Sequence, residues 1–380
     1  MVTPIWPSVV YRTDDADALD ATYDGTAPGY TYTREGHPNA TALASRIDAL
    51  EGLAAASGDP TLTGTVTGSG MGAVAAVLLG VLRAGDHVVA SDQLYGRTAR
   101  LMTRELPRMG IETTLVDTTD ADMVWQAMRA NTRMVVVEVV SNPTIRIADM
   151  DGIAAAARDA GALLTVDNTF TTPLGFPAFE RGADIVLHSV TKLLSGHSDV
   201  LLGWAAARDP ALNAAIFEAA ETWGLTGSPF DCWLAERGLT TFRLRHAQAS
   251  ANAAVLAGRL AGMRGVEAVF HPGRPDHPDH NRAEAVLAGQ WGNMVSFRLA
   301  GGRAAVNAFL RAAGEIPFAP TLGDVATTLS HPASSSHRAI AAEARAALGI
   351  TEGFIRMSVG IDDASAVGDM LERAVVEAIG

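Results

Sequence analysis

The chain carries a single cysteine, Cys232, in 380 residues. No disulfide can form within it, and a reducing, cytoplasmic location is the simplest expectation. Long apolar runs are missing as well. The longest near-continuous stretch, residues 73–82 (AVAAVLLGVL), falls well short of the roughly 20 residues that a membrane span requires, so neither a spanning helix nor a secretory leader is expected. Basic residues are in deficit, with 29 Lys and Arg against 42 Asp and Glu and a formal charge of −13. That balance opposes nucleic acid or an anionic membrane as the main partner and favours a small molecule. What the chain does have is apolar content, 48% of residues, enough for a large dry core in more than one domain.

Residues 1–41 are rich in Pro, Gly, Tyr and Thr, show little periodicity, and read as an extended N-terminal arm. Helical spacing begins between Thr41 and Gly52. From there to about residue 237, short apolar runs alternate with Ala-rich helical segments such as Met123–Ala130 and Ile153–Ala160. The runs are HVVASD (87–92), TTLVD (113–117), MVVVEVV (134–140), LLTVDN (163–168) and DIVLHS (184–189). Continuous apolar runs separated by helices predict a mostly parallel sheet covered on both faces, so residues 42–238 read as an α/β domain. Beyond Leu239 comes a long helical stretch, His246–Leu260, with strand candidates at Val266–Phe270, Met294–Leu299 and Phe354–Val359. Residues 239–380 therefore read as a smaller α+β domain.

In open α/β sheets ligands sit outside the carboxyl ends of the strands. Asp167 and Asn168 close LLTVDN, Asn142 follows MVVVEVV, and Ser189, Thr191 and Lys192 lie at or just after the end of DIVLHS. A lysine in such a place is ordinarily the solvated start of a helix, and an aspartate ordinarily a helix cap. Together they are what pyridoxal 5'-phosphate requires: an amine to bond its aldehyde and a carboxylate to keep its pyridine nitrogen protonated. The turn Thr67-Gly68-Ser69-Gly70-Met71 precedes a helical run, so its backbone N–H groups can hold a phosphate. His271, His277 and His280 have no regular metal-ligand spacing and read as a surface loop. Cys232, among apolar neighbours in a helical context, reads as a small buried residue rather than a nucleophile.

These motifs, in this order, resemble the Cys/Met metabolism family of pyridoxal phosphate enzymes, which includes cystathionine γ-synthase, cystathionine γ-lyase, cystathionine β-lyase and methionine γ-lyase. The resemblance runs from Pro4 to Ile361. It implies a fold-type I enzyme in which Lys192 bonds the cofactor, Asp167 faces the ring nitrogen and Tyr95 stacks on the ring. Gly70, Met71, Ser189 and Thr191 would hold the phosphate, while Tyr32 and Arg34 would reach the neighbouring subunit's cofactor across a homodimer interface, with dimers pairing into a homotetramer. Arg356 would grip the substrate α-carboxylate beside Asn142 and Thr321, and Arg100 would lie near the substrate. Arg237-Gly238-Leu239 resembles the segment that follows the large domain.

Departures gather where substrates are distinguished. Arg97 stands where the family often has Gly or, in methionine γ-lyases, Cys. Pro320 replaces a common Glu, Thr321 a Ser and Asp324 a Gly, and His37 and Asn39 alter the arm. The expected activity is γ-elimination or γ-replacement on a sulfur- or oxygen-substituted L-amino acid. β-Elimination is the alternative within the family, aminotransfer a less favoured one, and a cofactor-binding protein without turnover the non-enzymatic one.

Overall fold

Valine-rich runs become strands because β-branched side chains suit a pleated surface, and here both faces of that surface find apolar cover. The computed structural model describes residues 2–379. Its larger sheet has seven strands: β1 (Thr65–Thr67), β2 (His87–Ser91), β3 (Glu112–Val116), β4 (Thr132–Glu138), β5 (Leu163–Asp167), β6 (Ile185–His188) and β7 (Gly203–Ala207). They lie in the order β1-β7-β6-β5-β4-β2-β3. Strands β6, β5, β4, β2 and β3 are parallel, and β7 runs antiparallel between β6 and β1.

Alternate residues of one strand feed two cores. Val135 and Val137 of β4 join Leu43, Ile47 and Ile153 on one face, while Met134 and Val136 join Val74, Val77 and Leu78 on the other. Two-sided burial removes the polar alternation that a half-exposed strand would show, which is why these segments read as unbroken apolar runs. The helix Gly70–Val81 covers the second face. Ser69 caps it, its Oγ accepting the Gly72 N–H at 2.9 Å. It then crosses the helix Pro210–Thr222 so closely at Gly80 that a Cβ there would lie 2.5 Å from the Ala215 carbonyl oxygen.

A second sheet is wholly antiparallel, with β8 (Val266–Phe270), β9 (Met294–Leu299), β10 (Thr328–Ser330) and β11 (Phe354–Ser358) in the order β10-β11-β9-β8. Val295, Phe297, Ile355 and Met357 pack beneath the helices Phe242–Ala261, Gly302–Ala312 and Ala364–Ile379. Among the described residues, no helix is long and apolar enough to cross a membrane.

Three features differ from the sequence reading. The arm is not simply extended: Ala16–Tyr23 is a helix capped by the Asp15 side chain, and the next helix starts at Pro38 with the His37 ring accepting the Ala40 N–H. Strand β7, GWAAA, is not among the strand candidates of the sequence, and its glycine admits close packing. A Cβ on Gly203 would sit 2.3 Å from the Ser69 carbonyl oxygen. The His271–His280 segment is not a plain surface loop, since His271 and His277 are buried. Each uses its Nδ1 to accept a nearby backbone N–H, from Gly273 and Asp279 respectively.

The chain leaves β2 outward to β3 and returns to β4 on the other side of β2. The loops after β2 and β4 therefore diverge, opening a crevice at the carboxyl ends of the strands. Packing of the covering helix against Pro210–Thr222 supports that crevice from behind. Replacing Gly80 with Val should cost about 2 kcal/mol through overpacking against backbone that cannot swing aside, read as a lower urea midpoint with unchanged slope.

Candidate active site

The parallel register sets Glu138, the last residue of β4, directly beside Asp167, the last residue of β5. Burial raises the Asp167 pKa against the hydrogen bonds of Thr169, whose backbone N–H lies 3.1 Å from Oδ1, and the nearby His188. Glu138 is pushed up well above the carboxylate range, by burial first and then by the charge on Asp167. Two carboxyl groups so placed cannot both ionise cheaply, and both are pushed up. Its Oε1 accepts the Tyr95 N–H at 2.5 Å. That bond fixes the start of the short helix Gly96–Arg100 and leaves the Tyr95 ring 40% exposed in the crevice.

Lys192 lies in the tight turn after β6, where its N–H bonds the Ser189 carbonyl at 3.1 Å and the Ser189 N–H bonds Thr169 Oγ1 at 2.7 Å. Burial lowers the Lys192 pKa, and the positive charge of Arg356 lowers it further. The turn is clamped from the helix Phe242–Ala261 by the buried Arg245, which donates to the carbonyls of Leu193, Leu194 and Gly238 at 2.9 to 3.0 Å.

Arg356, from β11, enters from the smaller sheet. It is buried, with Nη1 on Asn142 Oδ1 and Nη2 on the Thr321 carbonyl, both at 2.8 Å, while Nε has no partner. Burial draws its pKa down to about 10. The loop carrying Asn142 is held by the same half of the chain. Ser296 Oγ donates to the Pro143 carbonyl at 2.7 Å, and Arg146 makes a two-point pair with Asp279 at 2.6 and 3.1 Å. Asp279 also accepts the Ile147 N–H at 3.0 Å. The clamp holds Ile145 at φ +58°, a conformation that β-branched residues avoid.

At the other end of the crevice, the backbone of Gly70 at the helix start closes on Ser189, so tightly that a Cβ there would lie 2.6 Å from Ser189 Cβ. Met71 lies beside it, its sulfur 3.8 Å from the Thr98 hydroxyl. Thr191 is engaged differently: its hydroxyl donates to the Leu202 carbonyl at 3.1 Å and accepts the Leu202 N–H at 3.0 Å.

The structure thus gathers Lys192, Asp167, Tyr95, Asn142, Thr321 and Arg356 around one crevice, with Gly70, Met71, Ser189 and Thr191 at its other end. Tyr32 and Arg34 are exposed, the Arg34 guanidinium lying 5.3 Å from the Tyr32 ring centre and 3.6 Å from Glu35. Neither joins the other candidates within one chain by a hydrogen bond or ion pair among the described residues. Arg97 and Arg100 are likewise exposed, and neither side chain has a hydrogen bond or ion pair among the described residues. Three contributors escaped sequence reasoning. Glu138 was visible as the one acid inside MVVVEVV, whereas Arg245 lay unmarked in a helical stretch. His337 is buried, shares a 2.8 Å bond with Ser336 Oγ, and is lowered to about 4 by burial and the charges of Arg356 and Arg345.

The departures in the arm have structural reasons. His37 also bonds the Gly227 carbonyl through Nε2 at 3.1 Å. The Asn39 side chain pins residues 4 and 6, accepting the Trp6 N–H and donating to the Pro4 carbonyl, each at 2.8 Å. Cys232 is fully buried and its thiol is pushed up to about 12 by burial, which rules out a ready nucleophile.

A half-buried amine of lowered pKa, a carboxylate set back at a strand end, an exposed aromatic ring and a glycine at a helix start fit the aldehyde, ring nitrogen, ring face and phosphate of pyridoxal 5'-phosphate. That combination on an open, mostly parallel sheet defines a pyridoxal phosphate enzyme. The chain belongs to the Cys/Met metabolism PLP-dependent enzyme family, whose model matches residues 1–376. It is 41% identical to cystathionine gamma-lyase of Bacillus subtilis over 92% of this chain and 88% of that one. It is 39% identical to cystathionine beta-lyase MetC of the same organism, over 92% of this chain and 86% of the other. The crystal structure of cystathionine gamma synthase from Xanthomonas oryzae pv. oryzae, in complex with aminoacrylate and cysteine, superposes with a TM-score of 0.92 at 37% identity, covering 100% of this chain and 93% of that one.

The close approach makes a measurable demand. Gly70→Ala, whose Cβ would push Ser189 aside, should weaken retention of pyridoxal phosphate by about tenfold or more, read from cofactor absorbance remaining after dialysis.

Proposed function

We propose that this enzyme catalyses γ-elimination or γ-replacement on an L-amino acid with a sulfur or oxygen substituent on its side chain, in the manner of cystathionine γ-lyase and γ-synthase. The observation that carries the reading is Arg356: a buried guanidinium held by Asn142 and Thr321, with a free Nε and in electrostatic range of Lys192. A planar fork of this kind suits an α-carboxylate, and fixing the carboxylate fixes which bond at Cα faces the site.

When bound, pyridoxal phosphate withdraws electrons from Cα. Lys192 anchors its aldehyde, Asp167 holds the ring nitrogen charged, Tyr95 covers a ring face, and Gly70, Met71, Ser189 and Thr191 surround its phosphate. Lys192, once free of the cofactor, would take the proton at Cα, hand it on to the cofactor, and so be neutral again to take a second proton at Cβ as the γ substituent leaves. An ordinary lysine would be protonated at neutral pH. Burial and then Arg356 lower the Lys192 pKa, which favours the neutral amine this work requires. β-Elimination is the second reading, favoured by the 39% identity to a β-lyase; it needs the Cα proton alone.

We further propose that a second copy of the chain supplies Tyr32 and Arg34 to each site, in a homodimer that pairs into a cytoplasmic homotetramer. Supporting this, the arm leaves Trp6, Val9, Val10 and Tyr32 exposed, and the large domain exposes Trp223 and Phe230.

Three outcomes are expected. Proton NMR in D2O with L-cystathionine, O-acetyl-L-homoserine, O-succinyl-L-homoserine and L-methionine should show exchange at both Cα and Cβ for a true substrate; exchange at Cα alone would favour β-elimination. Removing the positive neighbour in Arg356→Gln should let the Lys192 pKa rise, so the acid limb of pyridoxal phosphate uptake by the apoprotein moves to higher pH, read by stopped-flow absorbance. Mixed dimers of Arg34→Ala and Lys192→Ala subunits should regain part of the activity that each homodimer lacks, and verified mixed dimers without rescue would count against shared sites.

A further inference from the structure

Tyr95 and Asn142 stand on the two loops whose divergence opens the crevice, one after β2 and one after β4. The second of these, residues 141–146, is closed on itself. Val140 and Ile147 form an antiparallel bridge at its base, the Ser141 N–H bonds the Arg146 carbonyl at 2.9 Å, and the Ile145 N–H bonds the Ser141 carbonyl at 3.0 Å. A loop knitted in this way moves as one body, so a bond to any of its residues also holds Asn142. Two buried hydroxyls run through it. Ser141 Oγ accepts the Arg146 N–H at 2.9 Å and lies 2.7 Å from Thr144 Oγ1, and Thr144 Oγ1 bonds the side-chain oxygen of Gln93, two positions before Tyr95. Among the described residues this is the one hydrogen bond that joins residues 141–146 to residues 92–96.

Each hydroxyl has one proton to give, and a backbone N–H can only donate. Ser141 therefore accepts from Arg146 and passes its own proton to Thr144, and Thr144 passes its proton to the Gln93 amide oxygen. The chain is satisfied in one direction, with an acceptor at position 93 as its end. The two loops are otherwise held from opposite sides. Glu138 in the large sheet takes the Tyr95 N–H, while Ser296 and Asp279 in the C-terminal half hold Pro143 and Arg146. We infer that Gln93 and Thr144 are positioning residues: their bond sets the spacing between the Tyr95 ring and the Asn142–Arg356 pair, and with it which bond at the substrate Cα stands across the cofactor ring.

The inference rests on the reading of Tyr95 at the ring face and Arg356 at the α-carboxylate. The test uses the full-length chain as wild type, Thr144→Val, Thr144→Ser, Gln93→Leu, the double variant Thr144→Val/Gln93→Leu, and Arg356→Gln. Valine keeps the shape of threonine without its hydroxyl, serine keeps the hydroxyl, and leucine removes the acceptor. One readout is the ratio of exchange rates of the two Cα protons of glycine in D2O, followed by proton NMR with the cofactor-loaded enzyme. That ratio does not depend on how much of a variant is folded. The other is backbone amide hydrogen exchange in the apoprotein, read by mass spectrometry. Thr144→Val and Gln93→Leu should each lower the glycine ratio about tenfold, and Thr144→Ser should stay near wild type. The double variant should fall no further than either single one, because all three lack the same bond. In Gln93→Leu apoprotein, faster amide exchange should appear in residues 141–146, on the far side of the bond. An unchanged ratio in Thr144→Val, an equal loss in Thr144→Ser, or faster exchange confined to the loop of the Gln93→Leu change would each overturn the inference. Arg356→Gln separates the two levels. If it leaves the glycine ratio and the glycine KM as in wild type, the reading of Arg356 fails; if it collapses the ratio while Thr144→Val does not, only the link between the loops fails.

Discussion

A carboxylate held at the top of a sheet that is dry on both faces is the constraint around which this molecule is arranged. Asp167 stands where β5 runs out of apolar cover, and an unpaired charge there would be expensive. The surroundings answer it in several ways. Thr169 donates to it, the neighbouring Glu138 is itself pushed up by burial and by the charge on Asp167, and Lys192 and Arg356 bring basic groups into the same crevice. Burial lowers both positive groups, and Arg356 lowers Lys192 further, toward the neutral amine. The electrostatics of the site are one coupled system rather than a set of separate roles.

Much of this was legible in the sequence because polar residues at the ends of apolar runs have few other reasons to be there. Asp167, Asn142 and Lys192 each punctuate a strand, and Gly70 sits where a turn enters a helix. Residues whose meaning depends on register or on distant packing were not legible. Glu138 becomes Asp167's neighbour only through the pairing of β4 with β5. Arg245 acquires its function from carbonyls about fifty positions away, and nothing local distinguishes it from other helical arginines. Strand β7 was hidden because alanine has no strong voice in favour of a strand, and it is tertiary closeness that selects it.

The changed residues of the arm and loops divide into two kinds. His37 and Asn39 are tied by hydrogen bonds to Gly227, Trp6 and Pro4, so their identities answer to packing. Arg97 and Arg100 are exposed and have no such ties among the described residues. The difference separates substitutions that preserve the fold from those open to selection by ligand chemistry.

The two-point bond of Arg146 to Asp279, with Ser296 on Pro143 and Arg245 on the turn after Lys192, means that the C-terminal half of the chain shapes the reacting edge of the other half. The small domain behaves as a template as much as a lid. A chimera that borrowed this domain from a relative would inherit more than a new substrate wall, because the position of Asn142 and the set of the lysine turn would travel with it. Selectivity and catalytic geometry are therefore exchanged as one unit, and point changes in the crevice alone transplant less of a relative's behaviour than their proximity implies.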